Sequence, residues 1–234
     1  MDNQKLKSVL EEIYHRLFTR YGPQHWWPAR TPFEVITGAI LTQSAAWVNV
    51  EKAIANLQDA GLLSPDALRR IPEAELARLI YSCGYFNAKA RKLKAFSGWL
   101  GDKYGDNLDR LFAQDTNNLR DQLLAVHGIG EETADSILLY AGNKPVFVID
   151  AYTRRIIDRL EIAPARQRYV DYRTLFMSHL PADADLFNEY HALLVRLAKE
   201  ICRKQPICEE CCLNPRPETL DGRANGRFPC ARQG

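Results

Sequence analysis

The sequence predicts an all-α protein. Three observations carry that expectation. Apolar residues recur at helical spacing through most of the 234 residues, and Gly, Pro, Asn and Asp interrupt the spacing at short intervals. Only one run, PVFVI at 145–149, has strand character, and no second run is available to pair with it. With 46% hydrophobic and 26% charged residues, the chain can fill a core and still present a charged surface.

Taken in order, residues 5–19 place Leu6, Val9, Leu10, Ile13, Leu17 and Phe18 on one stripe, as an amphipathic helix does. The turn-rich segment YGPQHWWPARTP follows. From Phe33 to Leu57, the residues Phe33, Ile36, Ala39, Ile40, Val50 and Ala53 predict one long helical segment or two helices. Short helices are expected at 64–70, 73–82, 87–104 and 116–125, and further ones at about 131–141, 151–161, 170–180 and 184–202. No fixed-period repeat or low-complexity tract is visible.

Several classes are excluded at this level. No apolar run approaches the roughly 20 residues a membrane-spanning helix needs. The N-terminal MDNQKLKSVLEEIYHRLF spreads charges among its apolar residues and has no signal core, so an intracellular, cytoplasmic or nucleoid location is expected. Net charge is only +2, which by itself gives no case for a nucleic-acid partner. Five of the six cysteines (Cys202, Cys208, Cys211, Cys212 and Cys230) fall within the last 33 residues. Inside a cell, such clusters more often hold metal than form disulfides. Cys83 stands alone and reads as a buried core thiol.

The most informative stretch is LLAVHGIGEETADSILLYAGNKPVFVIDAYTRRIIDRL, residues 123–160. Gly128-Ile129-Gly130 sits between two helical patterns, where glycine allows close backbone approach and exposes amides at a helix start. Alone, that arrangement is either a tightly packed helix corner or a phosphate-binding hairpin. Asp150, opening the next helix, reads alone as a cap.

The larger pattern is more specific. HGIGEETAD followed by VFVID resembles the helix–hairpin–helix and Gly/Pro-rich loop-aspartate motif of the endonuclease III superfamily of DNA glycosylases. PFEVITGAILTQ (32–43) is similar to the family helix ending in a DNA-inserted Gln, and GYFNAKARKL (84–93) to its glycine-aromatic-Asn-x-Lys-Ala segment. The resemblance spans about residues 24–212. It implies two helical domains, 24–144 with the hairpin and 1–23 plus 145–234 with a C-terminal cysteine-rich metal loop, with Asp150 at the cleft between them. It also implies that Asp150 stabilises the cationic sugar and activates water, and that Gln43, Gly128 and Gly130 bind DNA.

Lyase-competent members of that superfamily carry a lysine two residues after the second hairpin glycine; here the position is Glu132. A carboxylate cannot form a Schiff base, so hydrolysis without strand cleavage is expected. Trp26-Trp27-Pro28, Trp47 and Glu132 together resemble the 3-methyladenine DNA glycosylase III-like branch. That likeness makes Trp26, Trp27 and Trp47 walls of a base pocket and Glu132 its carboxylate. Indoles suit a cationic alkylated purine, with about 0.5–2 kcal/mol of cation–π attraction. The alternatives are other lesions, oxidised or deaminated, or a non-catalytic protein that binds lesions or abasic sites.

Cys202-x5-Cys208-x2-Cys211 has metal-ligand spacing. The superfamily closes a [4Fe–4S] loop with C-x6-C-x2-C-x5-C, from which this chain departs in its first gap and in its fourth cysteine. The resemblance favours a [4Fe–4S] cluster over zinc, held by Cys202, Cys208, Cys211 and Cys230, with Cys212 as the other candidate for the fourth ligand. Lys89, Arg91, Lys92 and Lys94 cluster within six residues, and Arg154, Arg155 and Arg159 follow Asp150. Each set is either a solvated face or a source of phosphate contacts, and Lys89, Arg91 and Arg154 are assigned to DNA. The expected partner is double-stranded DNA bearing a damaged base, bound by a monomer that does not engage a membrane.

Overall fold

The computed structural model describes residues 3–214, and all of their regular structure is helical. The helices are α1 (Asn3–Tyr21), α2 (Pro32–Leu41), α3 (Trp47–Asp59), α4 (Pro65–Arg70), α5 (Glu73–Leu79), α6 (Phe86–Tyr104), α7 (Leu108–Phe112), α8 (Thr116–Leu124), α9 (Glu131–Ser136), α10 (Ala151–Arg159), α11 (Tyr169–Met177) and α12 (Ala184–Glu200). Two short 3-10 turns, Tyr81–Cys83 and Cys208–Glu210, and a π-helical turn, Ile137–Ala141, complete them. None of the described helices is long and apolar enough to cross a membrane. The chain divides into two units: residues up to Trp26 together with those from Pro145 onward, and Trp27–Lys144.

In the Trp27–Lys144 unit, α2 is buried at every position from Phe33 to Leu41. Its start is written in the sequence. Thr31 Oγ1 accepts the Glu34 amide at 3.2 Å, and Pro32 occupies a first-turn site where no donor is needed. The Glu34 carboxylate in turn accepts the Arg30 amide at 3.0 Å. The short α4 is closed by a neighbour: Lys94 Nζ, from α6, donates to the carbonyls of Leu68, Arg69 and Ile71. Arg69 grips Asp106 with both terminal nitrogens, at 2.6 and 2.7 Å. The five residues of α7 are too few to show a period, and the sequence reading misses them. The helix expected at 131–141 keeps α-helical form only to Ser136 and then widens into the π turn.

In the other unit, Val9, Leu10, Ile13 and Leu17 of α1 are fully buried, whereas Phe18 is 38% exposed beside Tyr14. The strand-like run forms no ladder. It is an extended core segment in which Val146, Phe147, Val148 and Ile149 are each at most 1% exposed. Phe147 stacks on Phe176 with ring centroids 3.8 Å apart and meets Phe187 and Tyr190 edge-on. This buried segment delivers the chain to Asp150.

Candidate functional site

The hairpin between α8 and α9 is built on one constrained glycine. Gly128 has φ +83°, and a Cβ there would lie 2.3 Å from Lys92 Cγ. Only glycine meets both demands. Gly130 carries no such constraint; it is extended, caps α9, and has nothing within 4 Å of a built Cβ. The two helices of the hairpin are tied by Arg120, whose Nε donates to Asp135 Oδ1 at 2.6 Å. Asp135 is fully buried, so this pair is part of the framework.

Gln43, on the turn after α2, is brought onto the hairpin. Its Nε2 donates to the Gly128 carbonyl at 3.1 Å and to Thr133 Oγ1 at 2.9 Å, and its Oε1 accepts from Lys92 Nζ. The neighbouring Ser44 adopts φ +52°, and Tyr85, at the start of α6, adopts φ +47° with 76% of its surface exposed. Positive φ at a non-glycine residue costs energy and often marks a functional loop. Tyr85 lies in the GYFNAKARKL segment that the sequence marks, but its exposure is not legible there. The signal is the aromatic after Gly84 in a turn that leaves it uncovered.

The expected basic cluster disperses. Lys89, assigned to phosphate, is 1% exposed, with Nζ donating to the carbonyls of Leu41 at 2.9 Å and Cys83 at 2.7 Å. Burial lowers its pKa. A side chain enclosed this way caps α2 and the Tyr81–Cys83 turn and does not reach DNA, so that assignment is withdrawn. Arg91 remains exposed beside Glu73 at 3.4 Å.

Two of the tryptophans named in the sequence meet. Trp27 and Trp47 meet edge to face, centroids 5.2 Å apart at 86°, and the Tyr140 ring lies 5.2 Å from Trp27. Gly38 makes this possible, since a Cβ on it would stand 2.9 Å from Trp27 Cζ2. Trp26 is half-buried. Glu132 is exposed in the first turn of α9.

Asp150 caps α10, its Oδ1 accepting the Thr153 amide at 2.7 Å. Its Oδ2 lies 3.7 Å from Nε2 of the buried His191 on α12. Arg154 stacks over Tyr172 and Tyr169, at 5.4 and 5.9 Å. Arg155 donates to the carbonyls of Cys202 and Ala198, and Arg159 donates to Cys202 Sγ at 3.2 Å. The helix that begins at Asp150 is therefore bonded to the start of the cysteine loop.

Within that loop, Cys202, Cys211 and Cys212 are half-buried thiols, and burial together with Cys211 pushes Cys212 up to about 11. Sulfur donors with an arginine on Cys202 suit a thiolate-bound cluster in chemistry. The described residues do not assemble its site, however. No three donors among the described residues converge as a metal group. Cys230 lies outside the described residues.

Comparison with known proteins agrees with this framework. The family model for HhH-GPD superfamily base excision DNA repair proteins matches residues 37–182. A protein of Methanocaldococcus jannaschii named as a DNA repair glycosylase is 42% identical over 205 residues, 87% of this chain and 93% of its own. The crystal structure of Helicobacter pylori 3-methyladenine DNA glycosylase bound to 1,N6-ethenoadenine superposes with a TM-score of 0.71 at 26% identity, covering 85% of this chain and 98% of that one. A trapped endonuclease III–DNA covalent intermediate has a TM-score of 0.74 at 23% identity, covering 90% and 93%, and shares the fold.

Proposed function

This chain belongs to the HhH-GPD superfamily of base excision DNA repair glycosylases, and from that premise we propose that it hydrolyses the N-glycosidic bond of alkylated purines such as 3-methyladenine, without cleaving the strand. One observation carries the hydrolytic assignment. The second residue after Gly130 is Glu132, exposed on α9, where the lyase-competent members that the sequence resembles carry an amine. The base class is supported by the Trp27–Trp47–Tyr140 cluster and by the likeness to a 3-methyladenine glycosylase.

In this mechanism Asp150 is the catalytic carboxylate. Fixed by the Thr153 amide, it offers Oδ2 to the reaction. Water oxygen bonds to C1′ as the C1′–N bond breaks and its electron pair passes to the base. Asp150 stabilises the positive charge on the sugar and takes the proton that water sheds. Trp26, Trp27 and Trp47 wall the flipped base, and Glu132 favours a cationic one. Gln43, with the hairpin backbone at Gly128 and Gly130, Arg91 and Arg154 engages the duplex, which a monomer binds. Tyr85 is an exposed aromatic suited to stacking on an unpaired base.

Cys202, Cys208, Cys211 and Cys230 are proposed to hold a [4Fe–4S] cluster. Such a cluster would cross-link the loop, and no step of hydrolysis needs it. Iron and sulfide analysis of anaerobically purified protein tests this, with one stoichiometric zinc as the contrary result.

The enzymatic test is base release from duplexes treated with dimethyl sulfate, with borohydride added in parallel. Free methylated purine and no trapped complex are expected. A covalent protein–DNA adduct with the wild-type chain, or release confined to oxidised pyrimidines, would overturn the assignment.

A further inference from the structure

We propose that His191 is a positioning residue for the Asp150 carboxylate, holding Oδ2 from α12 while the Thr153 amide holds Oδ1. The proposal rests on Asp150 being the catalytic group. Three observations point to it. First, Nε2 of His191 faces Asp150 Oδ2 at 3.7 Å, so the two side chains address each other across α10 and α12. Second, the imidazole has little freedom to turn elsewhere. It is 7% exposed, with the Phe147 ring edge-on at 6.5 Å. Its neighbour Tyr190 is fully buried and donates its hydroxyl to the Leu10 carbonyl at 2.9 Å, which fixes the rotation of α12. Third, an imidazole is an expensive core filler. Leucine would occupy the volume with no polar group to desolvate, yet the polar ring is placed opposite the one carboxylate the chemistry uses.

The electrostatics suit a donor. Burial lowers the His191 pKa and the Asp150 charge opposes that only in part, so the ring is neutral at neutral pH. A neutral imidazole with its proton on Nε2 would donate to Oδ2 once the 3.7 Å separation closes to hydrogen-bond distance. Each carboxylate oxygen keeps a second lone pair, so Asp150 still has acceptor sites for the reacting water or sugar. His191 touches no substrate in this scheme; it sets where Oδ2 points. That direction matters, because a misplacement of about 1 Å costs roughly a hundredfold in rate.

The test is single-turnover base release from dimethyl sulfate-treated duplex, with the dissociation constant of the same duplex measured alongside. His191→Leu is expected to slow the chemical step about ten- to a hundredfold while binding changes by less than about threefold. His191→Gln, whose amide reaches to the place of Nε2, is expected to recover most of the rate. A Leu variant as fast as wild type overturns the proposal, and so do Gln and Leu variants that are equally slow. Asp150→Asn is measured separately: if it releases base at the wild-type rate, the assignment of Asp150 itself fails, whatever His191 does. A readout independent of any variant's folding is the imidazole 15N spectrum of the wild-type protein. A proton on Nε2 is expected, and a bare Nε2 with the proton on Nδ1 overturns the proposal.

Discussion

The side chains of Gln43 and Lys92 are joined, Nζ donating to Oε1, while the same Gln43 amide donates to the Gly128 carbonyl and the Thr133 hydroxyl. A residue proposed to enter the DNA stack is thus held against the hairpin in the unbound chain. Each bond is worth about 0.5–1.5 kcal/mol net, so the hold is firm and reversible. The stem of Lys92 also fills the space that Gly128 leaves by lacking a Cβ.

Gly128→Ala is therefore expected to destabilise the protein twice over, through φ +83° and through collision with Lys92. Backbone strain of this kind costs about 1–3 kcal/mol. Lys92→Ala in the same chain should relieve the collision and leave the backbone strain. Denaturant melts of the two single variants and the double variant measure that coupling, and strict additivity would contradict the packing described.

Asp150 is a helix cap and the proposed catalytic carboxylate, and substitution can separate the two roles. Asn caps helices as well as Asp does, so Asp150→Asn should melt like wild type while base release falls at least about a hundredfold. Asp150→Ala should be equally inactive and also lose about 1 kcal/mol of stability with the cap. Calorimetry beside the release assay distinguishes the two effects.

Trp47→Ala should discriminate between lesions by charge. A cationic methylpurine loses about 0.5–2 kcal/mol of cation–π attraction in addition to stacking, whereas a neutral lesion loses stacking alone. The ratio of kcat/KM for methylated over ethenoadenine-containing duplexes is expected to fall about two- to thirtyfold. An unchanged ratio would remove Trp47 from cation recognition.

The Arg69 guanidinium holds the Asp106 carboxyl below the usual carboxylate range, mainly through their hydrogen bond. A depressed folded-state pKa means that this pair contributes fully above the unfolded value, near pH 4. The contribution is lost as pH falls through the lower folded value. Asp106→Asn should therefore flatten the stability profile below about pH 4 and leave its shape at neutral pH unchanged. Urea melts across that range provide the measurement.

Helical periods, the Thr31-Pro32 start of α2, the hairpin glycines and the apolar run into Asp150 were all legible in the chain, because each depends on residues close in sequence. So was the identity of Glu132, on which the proposal of hydrolysis without strand cleavage rests. The five-residue α7 and the π turn after Ser136 were not, since neither leaves a period long enough to read.

Burial and partnership were decided by tertiary packing. Lys89 and Arg91 are two residues apart, yet one is enclosed by the carbonyls of Leu41 and Cys83 and the other faces solvent. The run 145–149 has strand composition but is packed by Phe176, Phe187 and Tyr190 into an extended core segment. His191 meets Asp150, and Gln43 meets Lys92, across 41 and 49 positions of chain. Such pairs form only when separate helices pack, so spacing along the sequence could name the residues but not their partners.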